Sequence, residues 1–589
     1  MLMSIKAKLA LLATVAVTAT SFASINPIDG YSRRVTDADL VKGDPARQFD
    51  TWGSDEYIYV KGLYYVDSGC VLTIEPGCHI FGTAISSEDA IEANRQTAVI
   101  VARGGKIIAD GTHDAPIVFS AMGDDPRDPC DFGPGAKGQW GGLIINGAAP
   151  ISRPGGVWEM EGLPEGHHEG NWYGGTDPHD SSGVLRYVSL RHGGTTLSSA
   201  NEINGLTLGG VGDRTVIEHI DIFANQDDGI EFFGGTVNTK WISAMFCLDD
   251  HFDMDEGYMG KGQYWFAVHQ DYEADKCGEW DGDYDGVGGL PNSQPVISNF
   301  TFIGAGLDGT PKQEYAINVR DNFAGKLYNG VVVEVPGGAV YEESDGAGFG
   351  SGNMEMKATM FYNIASGSTW PTALTSDLDQ AAMEAYFSNP ANKNEIGMDP
   401  VLKGICRTKY DHGVLDPRPC PSSPVFDAAH YIAPQTIDSW FDAANYAGAF
   451  NQYELWNDWG AAAEMRILSK PILNVTQPNG VIRGAQQVEV NWMLSQPELS
   501  VTGYRVYLND FNVTSFFEWG TRLAIKPAQV PMAPSTCYAW LNRSPRFLGT
   551  DLGSVTNWTS KNTLRVEMDV VKYDNTTLTV ADTSVYYVK

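Results

Sequence analysis

Asp227-Asp228-Gly229-Ile230-Glu231 is followed, 22 residues later, by Asp249-Asp250-His251-Phe252-Asp253, and the acidic run closes in Asp281-Gly282-Asp283-Tyr284-Asp285-Gly286. Each of the first two copies is a pair of aspartates with a further acid three residues on. A period of this length is one coil of a solenoid. Residues at equivalent places on successive coils would sit about 5 Å apart. Two carboxylates at that spacing repel by roughly 3 kcal/mol at an effective dielectric of ~20. Between Asn225 and Gly286 there are 15 Asp and Glu against three Lys. Protons or a cation must relieve such a stack.

Working outward, short β-rich runs broken by Gly, Asn and Asp extend on both sides. They include Tyr57-Ile-Tyr-Val-Lys61, Val71-Leu-Thr-Ile74, Ala98-Val-Ile-Val101, Pro116-Ile-Val-Phe119, Gly142-Leu-Ile-Ile145, Val184-Leu-Arg-Tyr-Val188, Val216-Ile-Glu-His-Ile220, Val296-Ile-Ser-Asn-Phe300 and Gly330-Val-Val-Val333. Strands of three to five residues suit the small faces of a parallel β-helix, in which each coil pairs with the next and turn residues line up in ladders. The expected fold is all-β: a right-handed parallel β-helix over 57–365, followed by an immunoglobulin or fibronectin III-like β-sandwich over 470–589. The sandwich is read from alternating runs such as Gln487-Val-Glu-Val-Asn-Trp492 and Gly503-Tyr-Arg-Val-Tyr-Leu508. An open strand edge needs cover. Residues 24–56 are expected to cap the start and 366–469 the far end, with a helix over Thr375–Ser388 stopped by Asn389-Pro390.

The bulk properties bound the function. The chain has 589 residues and a net charge of −33, with 65 Gly. Nothing there could neutralise nucleic-acid phosphates, and an anionic membrane would repel it. Residues 1–23 read as a secretory signal peptide: Lys6 and Lys8, an apolar stretch from Leu9, then Ser21-Phe22-Ala23. No later segment is apolar enough to span a bilayer. Eight cysteines in an exported chain are expected to pair, with Cys70–Cys78, Cys247–Cys277 and Cys406–Cys420 the nearest neighbours, and Cys130 and Cys537 left over.

The candidate metal ligands are Asp227, Asp228, Glu231, Asp249, Asp250 and Asp253, with Asp281, Asp283 and Asp285 in a second loop. Ca²⁺ is the expected ion, because it takes six to eight hard oxygen ligands. Asp281-x-Asp283-x-Asp285-Gly286 opens like an EF-hand, but its twelfth position is Asn292 where a bidentate Glu is usual. Acids held by turn N–H groups or lysines are the plainer alternative.

Several runs resemble a family of secreted bacterial right-handed β-helix surface proteins. These are Leu72-Thr-Ile-Glu-Pro-Gly77, Arg103-Gly-Gly-Lys-Ile-Ile-Ala-Asp-Gly111, Trp140-Gly-Gly-Leu-Ile-Ile-Asn-Gly147, Asp228-Gly-Ile-Glu-Phe-Phe-Gly-Gly235 and Trp440-Phe-Asp-Ala-Ala-Asn-Tyr-Ala-Gly-Ala-Phe450. The resemblance implies an exported protein and carries no settled activity. The acid cluster is also similar to that of calcium-dependent β-helix pectate lyases. Those enzymes need a Lys or Arg base in a Gly-Asn-Gly-x-Lys context, which this chain lacks. The leading expectation is therefore a non-catalytic, calcium-stabilised extracellular or cell-surface protein that binds a polysaccharide, a surface partner or other copies of itself. The alternative is a calcium-dependent lyase of uronate polymers.

Overall fold

The computed structural model describes residues 39–82, 97–365, 369–405 and 415–468, except 127, 129, 130, 167, 196–202, 271–274, 308–314, 344–347 and 466 and the side chains of 285, 350 and 371. Ser32–Thr36 and the strands between 472 and 588 are described as backbone. The segment read as a signal peptide lies outside the described residues. The chain forms two compact units that divide at 465/466, with 412–416 joining the second.

The first unit is a stack of coils. Ten short strands form one parallel sheet in chain order among the described residues: Leu63–Val66, Ala98–Val101, Leu143–Asn146, Leu206–Gly209, Ile230–Phe233, Phe252–Asp255, Gly278–Asp281, Tyr315–Arg320, Gly338–Glu342 and Leu374–Ser376. This sheet is the first face. Between its strands the chain crosses a second and a third face. In the early coils these are separate strands, such as Lys106–Asp110 and Ile117–Ala121. From Gly183–Arg191 to Lys326–Val335 a single long strand makes both, and in the next coil they separate again into Glu355–Lys357 and Met360–Ile364. Val184–Arg186 pairs with Ile108–Asp110, while Val188–Leu190 pairs with Ile117–Phe119.

The strand bends between those two pairings at a left-handed residue. That residue is Tyr187 (φ 48°), then His219, Trp241, Tyr264, Asn299 and Asn329 in the following coils. Sequence reading expected strands of three to five residues here, and the structure has strands of eight to ten. The bend was hard to read because Tyr and Trp do not usually mark positive φ, and His219, Asn299 and Asn329, which can, recur at unequal spacing. The rings at this corner stack on one another: Tyr187 on His219 at 4.3 Å, His219 on Trp241 at 4.5 Å, and Trp241 against Tyr264 at 5.6 Å.

Inside the coils, apolar side chains form columns. Leu206, Ile230 and Phe252 follow one another in register, as do Ile220, Ile242, Trp265 and Phe300. All are fully buried. The stack begins earlier than expected, since Ser32–Thr36 and Phe49–Trp52 already pair with Glu56–Val60 and Val71–Ile74.

The far end also differs from expectation. Leu374–Ser376 is the last strand of the first face, so the helix starts later, at Gln380–Phe387, capped by Asp379 accepting from Ala382 N–H. Met383 and Phe387 close the core there, with Phe349 and Phe361. Residues beyond 430 do not cap the end. They form a strap along the outer side of the third face. Ile432 N–H donates to Asn329, and Asn299 donates to the Tyr446 and Gly448 carbonyls. Ala449 N–H donates to Thr301 and Ala461 N–H to Asp221, while Glu464 pairs with Arg191 at 2.7 Å.

The expected bridges Cys70–Cys78 and Cys247–Cys277 are not formed; all four are buried thiols. Stacking explains the second case, because Cys277 falls in register one residue before the Phe252–Gly278 pair, beside His251 and not Cys247. Cys130, Cys406 and the Cys537 side chain lie outside the described residues.

The second unit contains two further sheets. One is antiparallel and joins Ile472–Thr476, Gln487–Met493, Ser535–Trp540 and Glu518–Trp519. The other is built on the antiparallel strands Ser500–Leu508, Lys561–Val571 and Thr577–Val588.

Asn299 joins the corner to the strap, and this is testable. Asn299→Ala removes the two hydrogen bonds to the strap and the two accepted from Gln263 and Ser298, and places Ala in a left-handed conformation, so it should cost about 2–4 kcal/mol. Denaturant unfolding reads the loss, and limited proteolysis should cut the strap sooner than in the parent protein.

Candidate functional site

The outer surface of the first face carries the acids, because strand alternation turns Ile230 and Phe232 inward and Glu231 outward. Register defines four columns. Asp227, Asp249 and Asp275 form the first. Asn204, Asp228, Asp250 and Lys276 form the second, two residues before Leu206, Ile230, Phe252 and Gly278. Thr207, Glu231, Asp253, Glu279 and Asn318 form the third. The fourth contains Phe233 and Asp255, then Asp281 and Arg320.

Backbone contacts lock these columns together. Asp228 accepts from Asp250 N–H at 2.9 Å, and Asp250 accepts from Lys276 N–H at 2.6 Å. Gly229 between them has no substitute: a β-carbon there would lie 2.6 Å from the His251 carbonyl.

The six leading candidates therefore come together. Three sets of acids each place a ligand oxygen within 4.8 Å of the others: Asp227, Asp228 and Asp249; Asp228, Glu231 and Asp253; Asp249, Asp250 and Asp275. The second loop behaves differently. Asp281 pairs with Arg320 at 2.5 Å. Asp283 is buried and accepts from Gly288 N–H and from Asn322. Neither joins an acid triad among the described residues, and the Asp285 side chain lies outside them.

Sequence reading allowed for lysines among the acids but missed Arg320 and the stacking that sets Lys276 at the end of its column. Lys276 stands 3.0 Å from Glu279, 3.1 Å from Asp275 and 3.8 Å from Asp250. Arg320 reaches Glu279 at 3.3 Å as well as Asp281. The coil between Asp250 and Lys276 is four residues longer than the one before, so counting by 22 passes over it. A signal was present nonetheless. The first acid of each pair is followed by a further acid four residues on in Asp227/Glu231, Asp249/Asp253 and Asp275/Glu279.

The electrostatics are frustrated. Burial and neighbouring carboxylates hold Asp228, Glu231, Asp250 and Asp253 well above the usual carboxylate range. Asp249 is pushed up to about 6 by burial and then by Asp275. Glu279 runs the other way: Lys276 and Arg320 hold it low against the push of burial. Positive charge thus reaches the C-terminal edge of the cluster and leaves the middle acidic.

Oxygen donors converge there. Asn204 donates to Glu231, and Asn318 donates to Glu279 and Glu343, while the side-chain carbonyls of both are buried without a donor. Many carboxylates and amide carbonyls with no soft ligand in the triads make a donor set that fits Ca²⁺.

Two flanking features are also present. Arg153 pairs with the buried Glu256 and stacks over Tyr284 at 3.7 Å. The strand pair Trp158–Glu159 with Trp172–Tyr173 leaves Trp158 and Trp172 exposed.

A family model described as a pectate-lyase like beta helix domain matches residues 48–401. Neither a curated protein nor a solved structure gives a significant match.

A pH dependence follows from the raised carboxylates. Their folded pKa lies above the unfolded value near 4, so the native state binds the extra protons and stability falls as pH rises through that window. Chelator-treated protein should melt higher at pH 5 than at pH 7.5. A melting temperature flat across this range would mean the carboxylates are already neutralised by partners within the chain.

Proposed function

Because residues 48–401 make this chain a member of the pectate-lyase-like β-helix family, we propose that it is an exported surface protein that holds calcium on its first face. Through that ion it binds an acidic polysaccharide without cleaving it. The observation that carries this reading is the pair of acid triads that share Asp228; among the described residues Asp228, Glu231 and Asp253 form no ion pair with Lys276 or Arg320, whereas the third triad, with Asp250 and Asp275, meets Lys276. Asp227, Asp228, Glu231, Asp249, Asp250 and Asp253 would hold the metal. Bound there, it would supply positive charge that uronate carboxylates can share. Secretion is supported by the charged and apolar N-terminal segment. Among the described residues no helix is long and apolar enough to cross a membrane. The two sheets of the second unit support reading it as an immunoglobulin or fibronectin III-like spacer. Attachment to a cell-surface partner or to further copies of the chain would suit such a module.

One observation favours the lyase alternative: Lys276 and Arg320 stand beside the acids, although no Gly-Asn-Gly-x-Lys run announces them. A lyase base must accept the proton next to a uronate carboxyl group. Lys276 is ringed by Asp250, Asp275 and Glu279, which hold its ammonium charged. That setting suits a counter-ion better than a base, and binding is the preferred reading.

Calorimetric titration of the chelated protein with Ca²⁺ should give a saturable isotherm. At an ion concentration one hundred times Kd the fold should gain about 2.7 kcal/mol. Asp249→Asn with Asp250→Asn should abolish most of that gain, together with calcium-dependent retardation in polygalacturonate gels. No heat and no thermal shift would sink the proposal. Absorbance growing at 235 nm on polygalacturonate or alginate would replace binding by the lyase reading.

A further inference from the structure

We propose that a cleft at the bent corner, away from the acidic columns, is a second binding site, for a neutral hexopyranose chain, and that it works without calcium. The cleft has a volume of about 560 Å³ and lies between the corner rings and the strap. Trp241 and Tyr264, the last two rings of the aromatic stack, line it from the coils. Tyr446, Tyr453 and Trp456 line it from the strap. Sugar rings offer flat C–H faces and a rim of hydroxyls. Aromatic rings cover the faces, and amides, phenols and a carboxylate take the hydroxyls. The lining supplies both kinds of group, with Asn445, Asn451, Gln452 and Glu454 among the rings.

The charge of the lining selects the sugar. Glu454 is its one carboxylate, and no Lys or Arg joins it. A uronate would meet that negative charge with no cation in the lining, the neighbouring Lys403 and Arg418 being engaged by the Gln452 and Tyr453 carbonyls, whereas a neutral hexose can donate a hydroxyl to it. The site is therefore complementary to a different polymer from the one proposed for the first face.

The cleft is also built before any ligand arrives. Asn451 accepts from both Tyr453 and Glu454 N–H at 2.8 Å. Lys403 donates to the Gln452 carbonyl at 3.0 Å and Arg418 to the Tyr453 carbonyl at 2.9 Å. Trp456 donates to the Ala449 carbonyl and lies flat on Phe450 at 5.0 Å. The Tyr264 and Tyr446 hydroxyls hydrogen-bond each other. A turn fixed this way gives up little further entropy on binding. Tyr453 nevertheless remains 39% exposed, so a ring is presented to solvent from a rigid base.

The test is affinity electrophoresis of the full chain in chelator, with glucomannan, galactan, laminarin and polygalacturonate gels. At least one neutral polymer should retard the protein, and polygalacturonate should not. Tyr453→Ala with Gln452→Ala should weaken the association by about tenfold, the order of one lost stacking contact. Tyr453 is exposed and Gln452 half-buried, and the bonds that fix the turn run through their backbone, so the unfolding midpoint should hold. Asn445→Ala, also exposed, gives an independent variant from the other side of the cleft. Asp249→Asn with Asp250→Asn should bind the neutral polymer as the parent does, which separates failure here from failure of the calcium reading. No retardation by any neutral polymer, or retardation untouched by the Tyr453 and Gln452 substitutions, would overturn the proposal. So would a proline-rich peptide that shifts the Trp fluorescence when no sugar does.

Discussion

In-register hydrogen bonding between neighbouring coils is the constraint on which the rest of the first unit depends. Once Ile230 pairs with Phe252 and Phe252 with Gly278, every side chain lies about 4.8 Å from its counterpart on the next coil. Chemistry at one position is thereby multiplied along the axis. For Ile220, Ile242 and Trp265 the multiplication is favourable, because apolar groups gain by contact. For carboxylates it is not, and the outside of the molecule shows two answers to the same problem.

On the third face the answer is protein. Ser189, Asp221, Ser243, Phe266 and Thr301 occupy one outward column, and the strap supplies partners for Asp221, Ser243 and Thr301. Asp221 shows how far this goes: buried, with its carboxyl pushed up by burial, it is bonded by Ser189 and by Ala461 N–H. Arg191 and Glu464 complete the latch. On the first face no strap arrives among the described residues. Lys276 and Arg320 answer the last acids, while Asp228 and Glu231 in the middle are held by the Asp250 N–H and by Asn204, neither of which brings positive charge. Stacked carboxyl groups held only by neutral donors on one face, beside a row bonded by the strap on another, are what the calcium proposal interprets.

The solenoid was legible because its period, its short β-rich runs and its Gly-broken turns all repeat, and the runs quoted from sequence lie in or against strands. The two acid triads that share Asp228 were legible for the same reason, while Asp275 of the third was not. What escaped was whatever broke the repeat. The longer coil before Lys276 hid the ends of the columns. The corner was hidden because aromatic residues take left-handed positions there, held by stacking that depends on the neighbouring coil and not on local propensity. The strap was taken for a cap because its partners, from Arg191 to Asn329, are more than a hundred residues away in sequence. The Cys70–Cys78 and Cys247–Cys277 pairings failed because nearness in sequence means little where stacking decides which residues meet.

The strap has a bearing on how such a protein can change. After a first pass from Ile432 at Asn329 to Asp442 at Lys240, it returns and then meets the coils in reverse order, from Gly448 at Asn329, through Ala449 at Thr301 and Asn457 at Ser243, to Ala461 at Asp221 and Glu464 at Arg191. Solenoids usually grow or shrink by duplicating or losing a unit. Here a segment of fixed length is fastened to successive units in turn and acts as a ruler. An added or deleted turn between Arg191 and Asn329 would throw every later attachment out of step. Variation in length among descendants of this chain should therefore fall before or after the measured stretch, or as excursions from single turns that leave the count alone.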